Sequence, residues 1–202
     1  MSIQWFPGHM NKARRLMEEA MPAQDVVIEV LDARMPLASE NPVVTELRGR
    51  KPCVKVLSKS DLADPEITQL WLRYFEEQGA ARGEGSGKVV AIAITTDKAA
   101  ETRKRIAEVC SKVAVPTRGR KTARAMIVGI PNVGKSTLVN TLAKRKIANV
   151  GDEPAVTKGQ QVVLLENGMT LSDNPGIMWP KIEDPLGGLR LAFGGEIGRA
   201  HV

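Results

Sequence analysis

The sequence is poor in residues on which several protein classes depend. Its 202 residues include two cysteines, Cys53 and Cys110, too few for a disulfide framework or a cysteine-rich metal site. We expect two reduced, buried thiols instead. Aromatic residues make up 3% of the chain, which argues against a surface that stacks the bases of single-stranded nucleic acid.

Long apolar runs are lacking as well. No stretch approaches the ~18 apolar residues that a membrane span needs. The N-terminal segment "MSIQWFPGHMNKARR" has no apolar core of a secretory signal. Apolar residues at 43% and charged residues at 26% are instead typical of a globular domain. We therefore expect one sizeable α/β domain with a cytoplasmic location.

Positive charge is present in moderate excess and is clustered. The net charge is +6, and cations concentrate in "NKARR" (11–15), "RGRK" (48–51) and "TRGRKTAR" (117–124). Such clusters can neutralise the phosphates of nucleic acid. They can equally be solvated helix faces and a solvated linker, and the sequence leaves both interpretations open.

Strand and helix patterns alternate along the chain. Near-continuous apolar runs predict strands covered on both faces, at 25–32, 52–59, 88–95, 123–130, 160–166 and 169–173. Helical patterns lie at 9–21, 40–49, 64–78, 97–113 and 134–145. This alternation predicts an α/β fold with a doubly wound, mostly parallel sheet. Asn167-Gly168 predicts an antiparallel hairpin at one edge, and Asp64-Pro65 predicts a capped helix start.

A phosphate-binding loop is the most specific motif. "GIPNVGKS" (129–136) matches G-x-x-x-x-G-K-[ST], follows an apolar strand and opens a helix. We expect Lys135 to neutralise the β- and γ-phosphates both in the bound nucleotide and during catalysis. We expect the Ser136 hydroxyl to bind Mg²⁺. The expected nucleotide contacts in this loop are Asn132, Val133, Gly134, Lys135, Ser136 and Thr137.

Two later segments are expected to complete the phosphate site. Asp173 ends a strand in "LSDNPG" (171–176) and is placed to hold Mg²⁺ through water. Gly176 offers a backbone N–H to the γ-phosphate and can sense its presence. Thr157, in the polar loop "GDEPAVTKG" (151–159), is expected to bring its hydroxyl to Mg²⁺. The alternative for this loop is plain solvent exposure.

A base-reading element is found upstream. Ser58-Lys59-Ser60-Asp61 follows a strand and resembles the [NT]-K-x-D element. The Asp61 carboxylate can accept from guanine N1–H and the 2-amino group, and Lys59 can lay its stem along the base. A helix-capping aspartate is the alternative. Ser58 stands where Asn or Thr usually braces the phosphate loop, and its shorter side chain predicts a looser link.

The motif order is a rotation of the usual GTPase order. Such a permutation preserves a site because the ends of a domain often lie close together. With "QWFPGHMNKARR", "DARMPLASENP" and "DNPGIMWPKIED", these motifs resemble the circularly permuted ribosome biogenesis GTPase A family over nearly the whole chain. The resemblance implies a P-loop NTPase fold and hydrolysis of GTP to GDP with Mg²⁺. It also implies late assembly of the large ribosomal subunit, with rRNA as a partner, no membrane or DNA partner, and a monomer.

The resemblance also implies roles for single residues. Ile177 occupies the position of a catalytic glutamine in many GTPases, so His9 of "FPGHM" is expected to take part in hydrolysis. Asn132 matches an asparagine that holds a potassium ion beside the phosphates. "AIAITTDKA" replaces the expected Ser-Ala element, which leaves a backbone contact near Thr95. Apart from the resemblance, Asp32 and Arg34 of "DARMP" are either a structural pair at a strand end or part of a ribosome-facing surface, and the sequence does not decide between the two.

The expected organisation has three parts. Residues 1–24 form an N-terminal arm, 25–185 the permuted GTPase domain, and 186–202 the start of a truncated or missing helical RNA-binding domain. Two other functions stay open. One is a nucleotide-gated RNA-binding module with incidental hydrolysis, suggested by Ile177 and the basic clusters. The other is an ATPase, which the imperfect base reader permits.

Overall fold

The computed structural model describes residues 7–83, 87–117, 119–144, 161–165, 167–173 and 185–195. These residues form one six-stranded sheet with the order β3-β2-β1-β4-β6-β5. The strands are β1 (Val26–Asp32), β2 (Cys53–Ser58), β3 (Val89–Ala93), β4 (Arg124–Val128), β5 (Gln161–Leu164) and β6 (Thr170–Asp173). All neighbours are parallel except β5 and β6, which form the predicted antiparallel edge hairpin.

The described helices alternate with the strands as predicted. They are α1 (Pro7–Ala20), α2 (Pro36–Ser39), α3 (Pro42–Arg48), α4 (Pro65–Ala81), α5 (Ala99–Val113), α6 (Lys135–Ala143) and α7 (Pro185–Gly194). The predicted start of α4 is confirmed, because the Asp64 side chain accepts a 2.9 Å hydrogen bond from Ile67 N. The four-residue α2 was not predicted. None of the helices in the described ranges is long and apolar enough to cross a membrane.

Apolar side chains cover both faces of the sheet. On one face, residues of β1 and β4 such as Val30 and Ile127 pack in a large cluster with Leu138 of α6. On the other face, Met17 of α1 packs with Val27 in a smaller cluster. β1 and β2 are buried along their whole length, as expected for central strands with helices on both sides. The doubly wound, mostly parallel architecture is therefore confirmed.

Parallel pairing brings functional segments to the carboxyl edge of the sheet. β1 and β2 are in register from Val27↔Cys53 to Asp32↔Ser58, and β4 lies on the other side of β1. The ends of β1 and β2 and the loop after Val128 consequently meet at one place. In open α/β sheets this edge is where ligands bind.

The opposite, amino edge holds the basic linker. Asp25, directly before β1, accepts hydrogen bonds from Thr117 N (3.0 Å), Thr117 Oγ1 (2.6 Å) and Arg124 N (2.8 Å). Arg120 Nη2 donates to the same carboxylate at 2.6 Å. This buried acid fixes the linker between α5 and β4 at the start of the central strands.

Candidate functional site

The phosphate loop has the backbone geometry that its motif predicts. Gly134 precedes α6 with φ +91°, a conformation that glycine adopts at no steric cost. Gly129 is needed for space, because a Cβ there would lie 2.8 Å from Val30 O. Lys135 is buried, and Ser136 is the second residue of the nine-residue helix. The positive helix end and its N–H groups suit a phosphate.

The base-reading turn contacts this loop directly. Ser58 Oγ donates to Val133 O at 2.5 Å and lies 2.9 Å from Leu31 O. Lys59 Nζ donates to Asn132 O at 2.9 Å. Ser58 therefore makes the link to the phosphate loop, although its side chain is shorter than the usual Asn or Thr. In the sheet order, one strand, β1, lies between β2 and the strand β4 that leads into the phosphate loop. The two segments are therefore close enough for the short serine side chain to reach the loop.

A cavity of about 220 Å³ lies where the two elements meet. Ser58, Lys59, Thr95, Gly134 and Thr137 line it, all of them predicted to contact the nucleotide. The phosphate loop and the end of β2 thus face one shared space of a size that suits a bound base.

Threonines that the sequence did not single out shape the same cavity. Thr102 and Thr141 also line it, and Thr102 Oγ1 donates to Thr95 O at 3.2 Å. Asp61 is exposed in the 3-10 turn Ser60–Leu62, two residues after Lys59, and is not among the residues that line the cavity. Its exposure leaves the carboxylate accessible to a base.

A buried acid that sequence reasoning left undecided holds the base reader. The Asp32 carboxylate is fully buried and accepts from Lys59 Nζ at 2.8 Å. Arg34 binds the same carboxylate through Nε (2.9 Å) and Nη2 (2.6 Å). Burial opposes the charge, but the hydrogen bonds from Arg34 and Lys59 outweigh it and hold the pKa of Asp32 well below its usual range. The signal in the sequence was the D-A-R string directly after an apolar strand.

The end of α7 is attached to the same site. Asn132 Nδ2 donates to Gly195 O at 2.8 Å, and Arg34 Nη2 donates to Gly194 O at 3.2 Å. Leu191 anchors the helix in the main apolar cluster. Carbonyl groups at a helix end lack partners within the helix. Here Asn132 of the phosphate loop and Arg34, which binds Asp32, supply them.

Several predicted site residues fall at or beyond the limit of the described part. Asp173 ends β6, and its backbone pairs in register with Ile127 of the phosphate-loop strand. His9 lies in the first turn of α1. Thr157, Gly176 and Ile177 are outside the described residues, so their roles remain predictions. Groups of three or more His, Cys, Asp or Glu that could hold a metal are absent from the described ranges.

The basic clusters are partly used inside the fold. Arg48 is buried and donates to Lys51 O at 2.7 Å, and Lys51 Nζ donates to Gln24 O at 2.7 Å. Arg120 pairs with buried Asp25. These cations secure the amino edge of the sheet and are not simply solvated. Exposed cations of the same segments, such as Lys121, remain accessible to a partner.

The geometry defines a class. A doubly wound sheet, a phosphate loop at its carboxyl edge and an adjoining K-x-D turn make the chain a P-loop GTPase. The family profile described as "50S ribosome-binding GTPase" matches residues 124–196.

Curated relatives extend this match to nearly the whole chain. Ribosome biogenesis GTPase A of Bacillus cereus is 48% identical over an alignment of 204 positions, and the alignment covers 98% of this chain and 66% of the relative. The protein of the same name from Bacillus pumilus is 46% identical, with 98% and 69% covered. The chain belongs to the ribosome biogenesis GTPase A family and spans about two thirds of the length of these relatives.

A solved structure shows the same fold. GNP-bound YlqF from T. maritima superposes with a TM-score of 0.66 at 30% identity, covering 95% of this chain and 69% of that chain. A GDP-bound structure of the same protein gives a TM-score of 0.65 at 29% identity. The sequence reading of the family and of the fold is thereby confirmed.

Proposed function

We propose that the chain binds guanine nucleotide at the carboxyl edge of its sheet and hydrolyses GTP to GDP and phosphate. We further propose that it acts in late assembly of the large ribosomal subunit. One observation carries the proposal: the Ser58–Val133 and Lys59–Asn132 hydrogen bonds join the base reader to the phosphate loop around one cavity. The names of its relatives support the ribosomal role.

Each part of the site has a task in this reaction. Asp61 would accept from the guanine N1–H and 2-amino groups, which adenine does not match. Lys135 and the first turn of α6 would neutralise the phosphates while water attacks the γ-phosphorus and the bond to the bridging oxygen breaks. Catalysis of this kind depends on positioning and charge stabilisation more than on covalent chemistry.

Metal ions fit the donor atoms at this edge. Ser136 offers a hydroxyl, and Asp173 a carboxyl group at the end of the neighbouring strand; Thr157 would be a third oxygen donor. Hard oxygen donors of this type suit Mg²⁺, which when bound would offset phosphate charge. The nitrogen of the Asn132 amide is engaged with Gly195, so a potassium ion would be held by its Oδ1 atom.

His9 is proposed to help to position the attacking water, because Ile177 has no polar group for that purpose. α1, which contains His9 in its first turn, packs against β1 and β4 through Met17. Gly176 would sense the γ-phosphate.

The motif order is proposed to result from circular permutation, with 25–185 as the GTPase domain and 1–24 as an arm. The chain is further proposed to act as a cytoplasmic monomer with rRNA as a partner. A second function is favoured by the exposed cations of the amino edge: nucleotide-gated RNA binding with incidental hydrolysis.

The test is GTP turnover in potassium buffer, with and without purified large ribosomal subunits, and with ATP as the competing substrate. We expect turnover of GTP only, stimulation by the subunits, and loss of both in Lys135→Ala. Replacing potassium by sodium should slow the reaction. Equal hydrolysis of ATP would contradict guanine specificity.

The two functions differ in the behaviour of His9→Ala. If hydrolysis is the task, this variant binds GDP normally but loses the stimulated turnover. If RNA binding is the task, the variant retains both turnover and subunit binding. Sedimentation with subunits in the presence of GDP or a non-hydrolysable GTP analogue measures how the bound nucleotide changes subunit binding.

A further inference from the structure

We propose that Asp32 is a positioning residue for guanine-nucleotide binding, and that it acts by holding Lys59. The inference deepens the proposed function and rests on it. Asp32 ends β1, the strand that separates the base reader from the phosphate loop. It contacts the base reader at Lys59 Nζ and does not line the cavity itself.

Lys59 needs an external hold. Among the residues that the structure describes, it is one of three non-glycine residues with positive φ, at +54°. This conformation costs free energy and persists only where the surroundings impose it. Its ammonium group bridges Asp32 Oδ2 and Asn132 O. The two contacts keep the lysine stem along one wall of the cavity.

Asp32 is itself immobilised. Arg34 binds it through its backbone N–H and its side chain, with N–Oδ1 and Nε–Oδ1 distances of 2.9 Å. The backbone N–H of Asp32 donates to Ser39 Oγ at 2.9 Å. A fully buried carboxylate that accepts hydrogen bonds from this many donors stays ionised and keeps one orientation. It therefore gives Lys59 a fixed partner before nucleotide arrives.

Pre-organisation of this kind affects binding rather than the reacting bond. Without the Asp32 charge, the Lys59 side chain gains rotamer freedom, which nucleotide binding must then remove. Affinity for GDP and GTP should fall together. The preference for guanine over hypoxanthine should stay, because the 2-amino group is read by Asp61.

The decisive experiment measures GDP and IDP affinity by fluorescence titration and GTP turnover at saturation. Asp32→Asn keeps the shape of the side chain and removes its charge. We expect GDP to bind about tenfold more weakly or worse, as for loss of a charged hydrogen bond. The GDP/IDP affinity ratio and kcat should be unchanged, and KM should rise.

A double-mutant cycle with Lys59→Met tests whether Asp32 acts through the lysine. We expect the double variant D32N/K59M to bind GDP as well as K59M alone. Additive losses would overturn the proposal. If D32N fails to fold, the double variant D32N/R34M, which also removes one of the two cations paired with Asp32, carries the same comparison.

Glu29→Gln is the matched control. Glu29 lies on the same strand as Asp32 and also pairs with a lysine of the neighbouring segment, because its carboxylate is 2.7 Å from Lys55 Nζ on β2. This pair does not line the cavity. The E29Q protein should therefore be less stable but keep its GDP affinity. An equal loss of affinity in E29Q, or normal affinity in D32N, overturns the positioning role alone. A wild-type protein without guanine affinity would overturn the proposed function and this inference together.

Discussion

Ser58 and Val133, 75 residues apart in the chain, are joined by a 2.5 Å hydrogen bond from the serine hydroxyl to the valine carbonyl oxygen. Both residues are buried. The bond connects the end of β2 to the middle of the phosphate loop. The conformation of the loop thus depends on a side chain that belongs to the base reader.

Ser58→Ala should weaken both the fold and the site. Loss of the hydroxyl leaves the buried Val133 carbonyl without this donor, at an expected cost of about 1–2 kcal/mol. GDP affinity should fall several-fold because the loop is less well held. Urea unfolding and GDP titration measure the two effects. Ser58→Thr, which retains the hydroxyl, is the control, and equal affinity in the alanine and threonine variants would refute the bracing role.

Lys55 should be among the most sensitive positions for stability. Its buried ammonium contacts Glu29 Oε2 and Glu40 Oε1, each at 2.7 Å, and burial alone would lower its pKa, but the two carboxylates raise it. Lys55→Met leaves the buried Glu29 charge without its partner, which typically costs roughly 3–5 kcal/mol. Urea unfolding gives the difference.

The exposed pair of Lys98 and Glu101, 3.8 Å apart, is the control for this prediction. Lys98→Met should change the unfolding free energy by less than about 1 kcal/mol, as for other surface pairs. Adding Glu29→Gln to Lys55→Met should recover part of the loss. A Lys55→Met protein as stable as Lys98→Met would show that the buried network adds nothing.

The two thiols should be unreactive in the folded protein. Burial raises the pKa of Cys53 to about 11 and that of Cys110 to about 12. A thiol reagent at pH 8 should label neither cysteine until the protein is unfolded in guanidinium. Rapid labelling of native protein would contradict the buried placement.

The same thiols predict a loss of stability at high pH. In the unfolded chain they ionise near pH 9, whereas the folded chain keeps them protonated to about pH 11 for Cys53. Their contribution is therefore complete below pH 9 and decreases as the pH rises toward 11. Urea unfolding at pH 8 and pH 10, compared with Cys53→Ala, measures this component.

The amino edge should carry any binding of RNA. Arg50 and Lys121 are exposed there, next to the starts of β2 and β4. The double variant Arg50→Glu/Lys121→Glu should weaken RNA binding. The slope of log K against log salt concentration should decrease by the amount expected for about two lost phosphate contacts. GDP affinity should be unchanged, since the nucleotide site lies at the other edge.

Arg73→Glu, an exposed change on α4, is the matched control and should leave RNA binding nearly intact. Filter binding at several salt concentrations distinguishes the variants. The same loss in Arg73→Glu would indicate a general charge effect without a defined surface.

Local patterns in the sequence predicted most of the fold. The buried strands are apolar because helices cover both faces, and the Asn167-Gly168 turn is formed with Gly168 at φ +80° and Asn167 Oδ1 accepting from Met169 N. The α2 helix was missed because four residues carry no periodicity. Its position depends on the Ser39 hydroxyl, which contacts the chain at Met35 and Asp32.

The site was predictable in its motifs but not in its connections. The phosphate loop and the K-x-D turn each have a local pattern. The pairing of Asp32 with Lys59 depends on the register of β1 against β2, which no local pattern specifies. The hydrogen bond from Ser58 to the phosphate loop could not be read from the sequence for the same reason, since its reach is set by how closely the two segments approach.

β1 has an acid at each end. Asp25 fixes the basic linker before the strand begins, and Asp32 holds the base reader where it ends. The strand between them is about 20 Å long and entirely buried. A partner contact at the amino edge and a nucleotide at the carboxyl edge would therefore be separated by the full length of this buried strand. Coupling between the two edges through the protein itself would have to pass along the sheet or through the helices that pack on it.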